Sequence, residues 1–87
     1  MSYKVKYTKQ ALKDKEKLAN SKLYDNAKRI VEIIKTNPFQ NPPPYEKLVG
    51  DLKGIYSRRI NIKHRIWYSV DKQEKIIRIL RMWTHYE

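Results

Sequence analysis

"GIYSRRINIKHRIWYSVDKQEKIIRILRMW", residues 54–83, decides the fold. It holds three β-rich runs in a row. "GIYSRRINI" passes into "KHRIWYSV" with so little chain between them that a tight hairpin has to join the two. "DKQE" is a second turn signal, and "KIIRILRMW" is rich in β-branched residues. Apolar residues stand at both parities of this last run, the pattern of a central strand covered on two faces. In the middle run Ile66, Tyr68 and Val70 share one face, and Arg65, Trp67 and Ser69 the other. In the first run Tyr56, Ile60 and Ile62 alternate with Ser57, Arg59 and Asn61, so Arg59 and Arg65 fall on one side, away from any covering layer.

The chain before this block has a different period. "YKVKY" alternates Tyr3, Val5 and Tyr7 with lysines and predicts a half-buried strand. Thr8 is placed to cap a helix through "KQALKDKEKLANS", whose apolar side would be Ala11, Leu12, Leu18 and Ala19. Lys15 interrupts that stripe, so only partial burial is expected. "KLYDNAKRIVEIIK" is the stronger helix, with Leu23, Ala27, Ile30 and Ile34 at helical spacing and Tyr24 and Val31 beside them. It ends at "TNPFQNPPPY", where four prolines in seven residues forbid helix and favour an extended connection. The order β-α-α-β-β-β, with two N-terminal helices on a mostly antiparallel twisted sheet, makes an α+β domain. At 87 residues, with neither repeats nor a long linker, residues 1–87 are read as a single domain.

Composition bounds the function. Twenty Lys plus Arg against nine Asp plus Glu give a net charge of +11, the footprint of a polyanion binder, with nucleic acid the first candidate. No apolar run approaches the roughly 20 residues that span a bilayer. No helix-forming segment pairs a basic face with a broad apolar one, so no membrane partner is expected. The opening residues lack the apolar run of a signal peptide, and cysteine is absent, so a cytoplasmic location is expected. Two histidines without cysteine make no spaced metal-ligand set, and Gly50 and Gly54 make no phosphate loop, so neither metal nor cofactor is expected. Arg59 and Arg65 near Trp67 and tyrosines suit phosphate and stacked bases.

"YEKL", "GIYSRRI", "HRIWY" and the terminal "HY", in that order and at these intervals, resemble the YoeB/Txe group of RelE-type toxins over essentially the whole chain. The resemblance implies a microbial-ribonuclease-like RelE fold. It also implies the toxin half of a type II toxin–antitoxin pair. Such toxins are endoribonucleases (mRNA interferases) that cleave mRNA in the ribosomal A site without metal and so inhibit translation. Carried onto matching positions, it makes Glu46 the general base, Arg65 the phosphate clamp, His85 the general acid and Tyr86 a substrate-positioning residue. Arg59 becomes a supporting RNA contact. The partners implied are the ribosome and mRNA, a YefM/Axe-type (Phd-related) antitoxin, and operator DNA reached only through the toxin–antitoxin complex; homodimers also occur in this group. Glu87 extends this chain beyond the group's usual His-Tyr end.

The chemistry is consistent with such a set. RNA cleavage by its own 2′-OH needs a base, an acid for the departing 5′-oxygen and cations for the charge on the phosphate. Imidazole exchanges protons near neutral pH. His64 enters the middle strand facing opposite to Arg65, which suggests a structural or surface role. Lys9, Lys13, Lys17, Lys22 and Lys28 would decorate the helical layer and are candidate contacts to ribosomal RNA. The residues also leave open a non-catalytic RNA- or ribosome-binding module and a gyrase-poisoning toxin on the same scaffold.

Overall fold

The computed structural model describes the backbone of residues 2–85 and the side chains of residues 2–82. The order is β1 (Lys4–Tyr7), α1 (Lys9–Ala19), α2 (Tyr24–Thr36), β2 (Glu46–Lys47), a 3-10 turn (Gly50–Leu52), β3 (Ile55–Arg59), β4 (His64–Asp71) and β5 (Ile76–His85). One five-stranded sheet runs β1-β5-β4-β3-β2. All neighbours pair antiparallel except β1 and β5, which are parallel. This is the expected α+β architecture with one addition. The two-residue strand β2 at the sheet edge has no hydrophobic alternation to announce it.

The helices form where the sequence signals them. Thr8 accepts a hydrogen bond from the Ala11 amide at 3.1 Å, satisfying one of the first-turn donors. Its hydroxyl also donates to the Leu80 carbonyl at 3.1 Å, which ties the helix start to β5. The buried side of α2 is Ala27, Ile30, Val31 and Ile34, as its spacing predicts. These residues meet Ile60, Ile66, Tyr68, Ile77, Ile79 and Met82 from the sheet in one core.

The apolar stripe of α1 differs from expectation. Ala11, Asp14 and Leu18 are buried, whereas Leu12 and Ala19 are exposed. Asp14 takes the central position because its carboxylate is fully paired. Oδ2 accepts from Arg81 Nε at 2.8 Å and from the Met82 amide at 3.0 Å, and Oδ1 accepts from Gln10 at 3.1 Å. Burial opposes its ionisation, but the bonds from Arg81, Met82 and Gln10 outweigh that and hold its pKa below the usual value.

Three further expectations are corrected. Ile62 is 79% exposed because it lies in the β3–β4 turn instead of on the strand face. The proline-rich connection is not extended throughout. It opens with a turn in which the Gln40 amide bonds to the Asn37 carbonyl at 3.1 Å, and Pro38 is buried. Finally, β5 is not covered on two faces by simple alternation. Arg65 faces Thr84, Trp67 faces Arg81 and Tyr68 faces Ile79, so three steps along β4 match five along β5. These slips bulge the strand and move its buried side from Ile77 and Ile79 to Met82. Counting parity from Ile79 therefore does not assign a face to His85.

Candidate active site

The second half of the sheet brings the predicted cations together. Arg59 on β3 lies directly across from Arg65 on β4, and Ser57 across from Trp67. On the other side of β3, Glu46 lies directly across from Ser57. Directly opposed residues share a face, so Glu46, Ser57 and Trp67 line up on one side of the sheet, with Arg59 and Arg65 further along it. Tyr56, Arg58, Ile66 and Tyr68 take the other side, where the core lies.

Pro44, Tyr45, Glu46, Ser57, Arg59 and Arg65 enclose a cleft of about 210 Å³. Arg65 Nη1 donates to Glu46 Oε1 at 3.4 Å. The pair is uneven: the Arg65 side chain is 6% exposed and that of Glu46 is 59% exposed. Arg59 is exposed at the rim. A largely buried guanidinium next to an accessible carboxylate, with a second guanidinium alongside, matches an anionic ligand that also has a proton to give up. A larger hollow of about 410 Å³ around Leu48, Val49 and Ile55 is lined by apolar groups with Lys47 and Lys53, and has no carboxylate. It offers neither the carboxylate nor the arginine pair of the smaller cleft.

The C-terminal strand reaches this end of the sheet. His85 is paired with His64, and Thr84 with Arg65, so the backbone of His85 stands one position from the strand partner of the buried arginine. The side chain of His85, and Tyr86 and Glu87 altogether, lie outside the described residues. His64 is buried at the start of β4, in keeping with a structural position. Its amide and that of Lys63 are held by the Asn61 side chain at 2.7 and 2.9 Å, which shapes the turn.

Residues 7–86 match the family model described as the YoeB-like toxin of bacterial type II toxin-antitoxin systems. The chain belongs to the YoeB-like toxins. A relative called Toxin YoeB, from Synechocystis, is 31% identical over 68 residues, which is 78% of this chain and 77% of that protein. Among solved structures, the YoeB/ParE toxin from Agrobacterium tumefaciens superposes with a TM-score of 0.86 at 26% identity, covering 95% of this chain and 99% of its own. The YoeB-YefM complex from Staphylococcus aureus gives 0.81 at 30% identity, covering 99% and 100%. A YoeB dimer from the same species gives 0.83 at 28% identity with the same coverage.

Within this YoeB-like toxin the lysines named from the sequence, Lys9, Lys13, Lys17, Lys22 and Lys28, are all exposed on or beside the helices. The helices pack on the core face of the sheet, so these lysines do not share the cleft with Glu46 and Arg65. Sequence reasoning missed Arg58. Its guanidinium is buried on the core face and bonds to Tyr68 and to three carbonyls of the proline-rich connection. The available signal was the strand period: in "SRR" only one of two adjacent arginines can face outward.

Proposed function

We propose that this YoeB-like toxin is a metal-independent endoribonuclease that cuts mRNA in the ribosomal A site and so stops translation. The observation that carries the reading is the cleft in which Glu46 touches Arg65, with Arg59 across the strand pair. Glu46 accepts the proton of the ribose 2′-OH. The freed 2′-oxygen attacks phosphorus, and the bond to the 5′-oxygen breaks, leaving a 2′,3′-cyclic phosphate. His85 gives that departing oxygen its proton. Arg65 and Arg59 hold the non-bridging oxygens as charge gathers there. Tyr86 orients the RNA.

Before RNA arrives, the Glu46 carboxylate stands where a phosphate would meet Arg65. A bound phosphate takes over the guanidinium and releases the carboxylate toward the 2′-OH. The buried setting of Arg65 strengthens its grip, since a charge-assisted bond gains where solvent is excluded. The helical lysines carry the toxin onto ribosomal RNA.

The complex formed by the S. aureus relative supports a partner of the same kind here, a YefM-type antitoxin. Through that complex the toxin reaches operator DNA. The site of action is the cytoplasm, where the ribosomes are. Among the described residues, no helix is long and apolar enough to cross a membrane.

The test adds purified toxin to a defined translation reaction and maps mRNA ends. The same mRNA without ribosomes serves as control. Cuts at A-site codons that require ribosomes are expected. Intact mRNA, with the toxin still bound to ribosomes, would favour a non-catalytic RNA-binding module.

A further inference from the structure

Arg58 has no part in the chemistry above, yet it is among the most completely buried side chains, 1% exposed. Among the described residues its hydrogen-bond partners are all neutral oxygens. Nη1 donates to the Pro43 carbonyl at 2.6 Å. Nη2 donates to the Pro38 carbonyl at 3.0 Å and the Gln40 carbonyl at 2.8 Å. Nε donates to the Tyr68 hydroxyl at 3.1 Å, and that hydroxyl donates in turn to the Pro38 carbonyl at 2.7 Å. Burial pushes the Tyr68 pKa up, so the phenol keeps the proton this chain of bonds requires. The Tyr45 ring lies 5.0 Å from the guanidinium carbon. Phe39, Tyr45, Tyr56 and Tyr68 pack edge to face or tilted around it, with neighbouring centroids 5.4–6.2 Å apart.

The connection needs such a clamp. Pro42, Pro43 and Pro44 have no N–H, so this stretch cannot hold itself in a ladder, and its buried carbonyls must find donors elsewhere. One planar fork reaches three carbonyls across residues 38–43, a geometry an ammonium group does not reproduce. Glu46 follows three residues after Pro43. Its own strand is two residues long, with the pairs Glu46–Ser57 and Lys47–Tyr56 and one further bond from the Leu48 amide to the Ile55 carbonyl at 2.9 Å. β3 thus grips the incoming chain twice: by Arg58 on the core face, and by the pairing of adjacent Ser57 on the cleft face.

We propose that Arg58 is a positioning residue for Glu46. By fixing residues 38–45 against the core, it sets where the carboxylate stands relative to Arg65. This rests on the reading of Glu46 as general base. Loosening the clamp then slows the chemical step and leaves ribosome affinity alone.

The experiment is a double-mutant cycle on the full chain. Arg58→Lys weakens the fork, and Tyr68→Phe removes a single hydroxyl should the first variant fail to fold. Each is made alone and with Glu46→Gln, with near-UV circular dichroism confirming the fold. Ribosome affinity and single-turnover cleavage are read separately. Each single variant is expected to cut about tenfold more slowly at unchanged affinity, as small misplacements of a catalytic group do. In the Glu46→Gln background that further loss should disappear. If the losses multiply instead, or if both folded variants cleave at the full rate, the clamp does not act through Glu46. A Glu46→Gln toxin with the wild-type rate would overturn the base assignment itself, a separate outcome.

Discussion

Glu46 and Arg65 meet at 3.4 Å although one is mostly in solvent and the other almost wholly buried. An exposed ion pair contributes little to stability, so this contact is better understood through its buried half. Arg65 is sunk into the sheet with its guanidinium toward a cleft, and the solvated partner is the carboxylate. In the proposed reaction a phosphate replaces Glu46 at Arg65 without moving the cation.

Replacing Arg65 follows from that geometry. Arg65→Ala is expected to lower single-turnover cleavage by about 10²–10³-fold, the cost of losing one preorganised donor to a developing charge. Arg65→Lys should recover little, because a flexible ammonium does not present two parallel donors. Rapid-quench assays on saturated ribosome complexes measure both. Full activity of either variant would remove Arg65 from the mechanism.

His85 is the expected acid. His85→Gln keeps the size and polarity of the side chain and removes the exchangeable proton. Cleavage should fall by about 10²–10⁴-fold while antitoxin binding and thermal stability stay at wild-type values. Parallel calorimetry and cleavage assays separate the two effects.

Asp14 offers a test of the fold that avoids the cleft. Its folded-state pKa is depressed, so its stabilisation is fully present above the unfolded value of about 3.9 and is lost as pH falls through the folded value. Asp14→Asn should cost about 1.5–3 kcal/mol at neutral pH, the scale of hydrogen bonds to a charged group. The gap between wild type and variant should close as the pH drops below about 4. Urea denaturation at a series of pH values reads this directly. A gap that stayed constant into acid would contradict the assignment.

The helical lysines should act on encounter alone. Reversing Lys9, Lys13, Lys17, Lys22 and Lys28 to glutamate is expected to weaken ribosome binding and flatten its dependence on salt. The loss in log–log slope should be about 0.7–0.9 for each phosphate contact removed. Once bound at saturating ribosome, the variant should cleave at the wild-type rate, because these residues lie on the helical side of the sheet. Filter binding across a salt series checks the first part.

Much of this was legible in the sequence, for physical reasons. Thr8 caps α1 because a hydroxyl before a periodic run has few other uses, and the α2 face follows from spacing alone. Arg59 and Arg65 share a side because the strand period is two. What escaped depends on partners distant in sequence. Asp14 looks like a surface residue until Arg81 and Met82 arrive from β5. The strand period turns Arg58 inward, but what holds it there shows only when the carbonyls of residues 38–43 close on it. The bulges of β5 carry neither glycine nor proline to mark them, so simple alternation fails before His85.

In the proposed reaction the RNA supplies its own nucleophile and the protein moves the protons. An mRNA carrying a single 2′-deoxynucleotide on the 5′ side of the scissile bond, programmed into the A site, tests it most directly. Cleavage at that bond is expected to disappear, while the all-ribose message is cut to a 2′,3′-cyclic phosphate and a 5′-hydroxyl end. Cleavage of the deoxy-substituted message at the same bond and rate would contradict it.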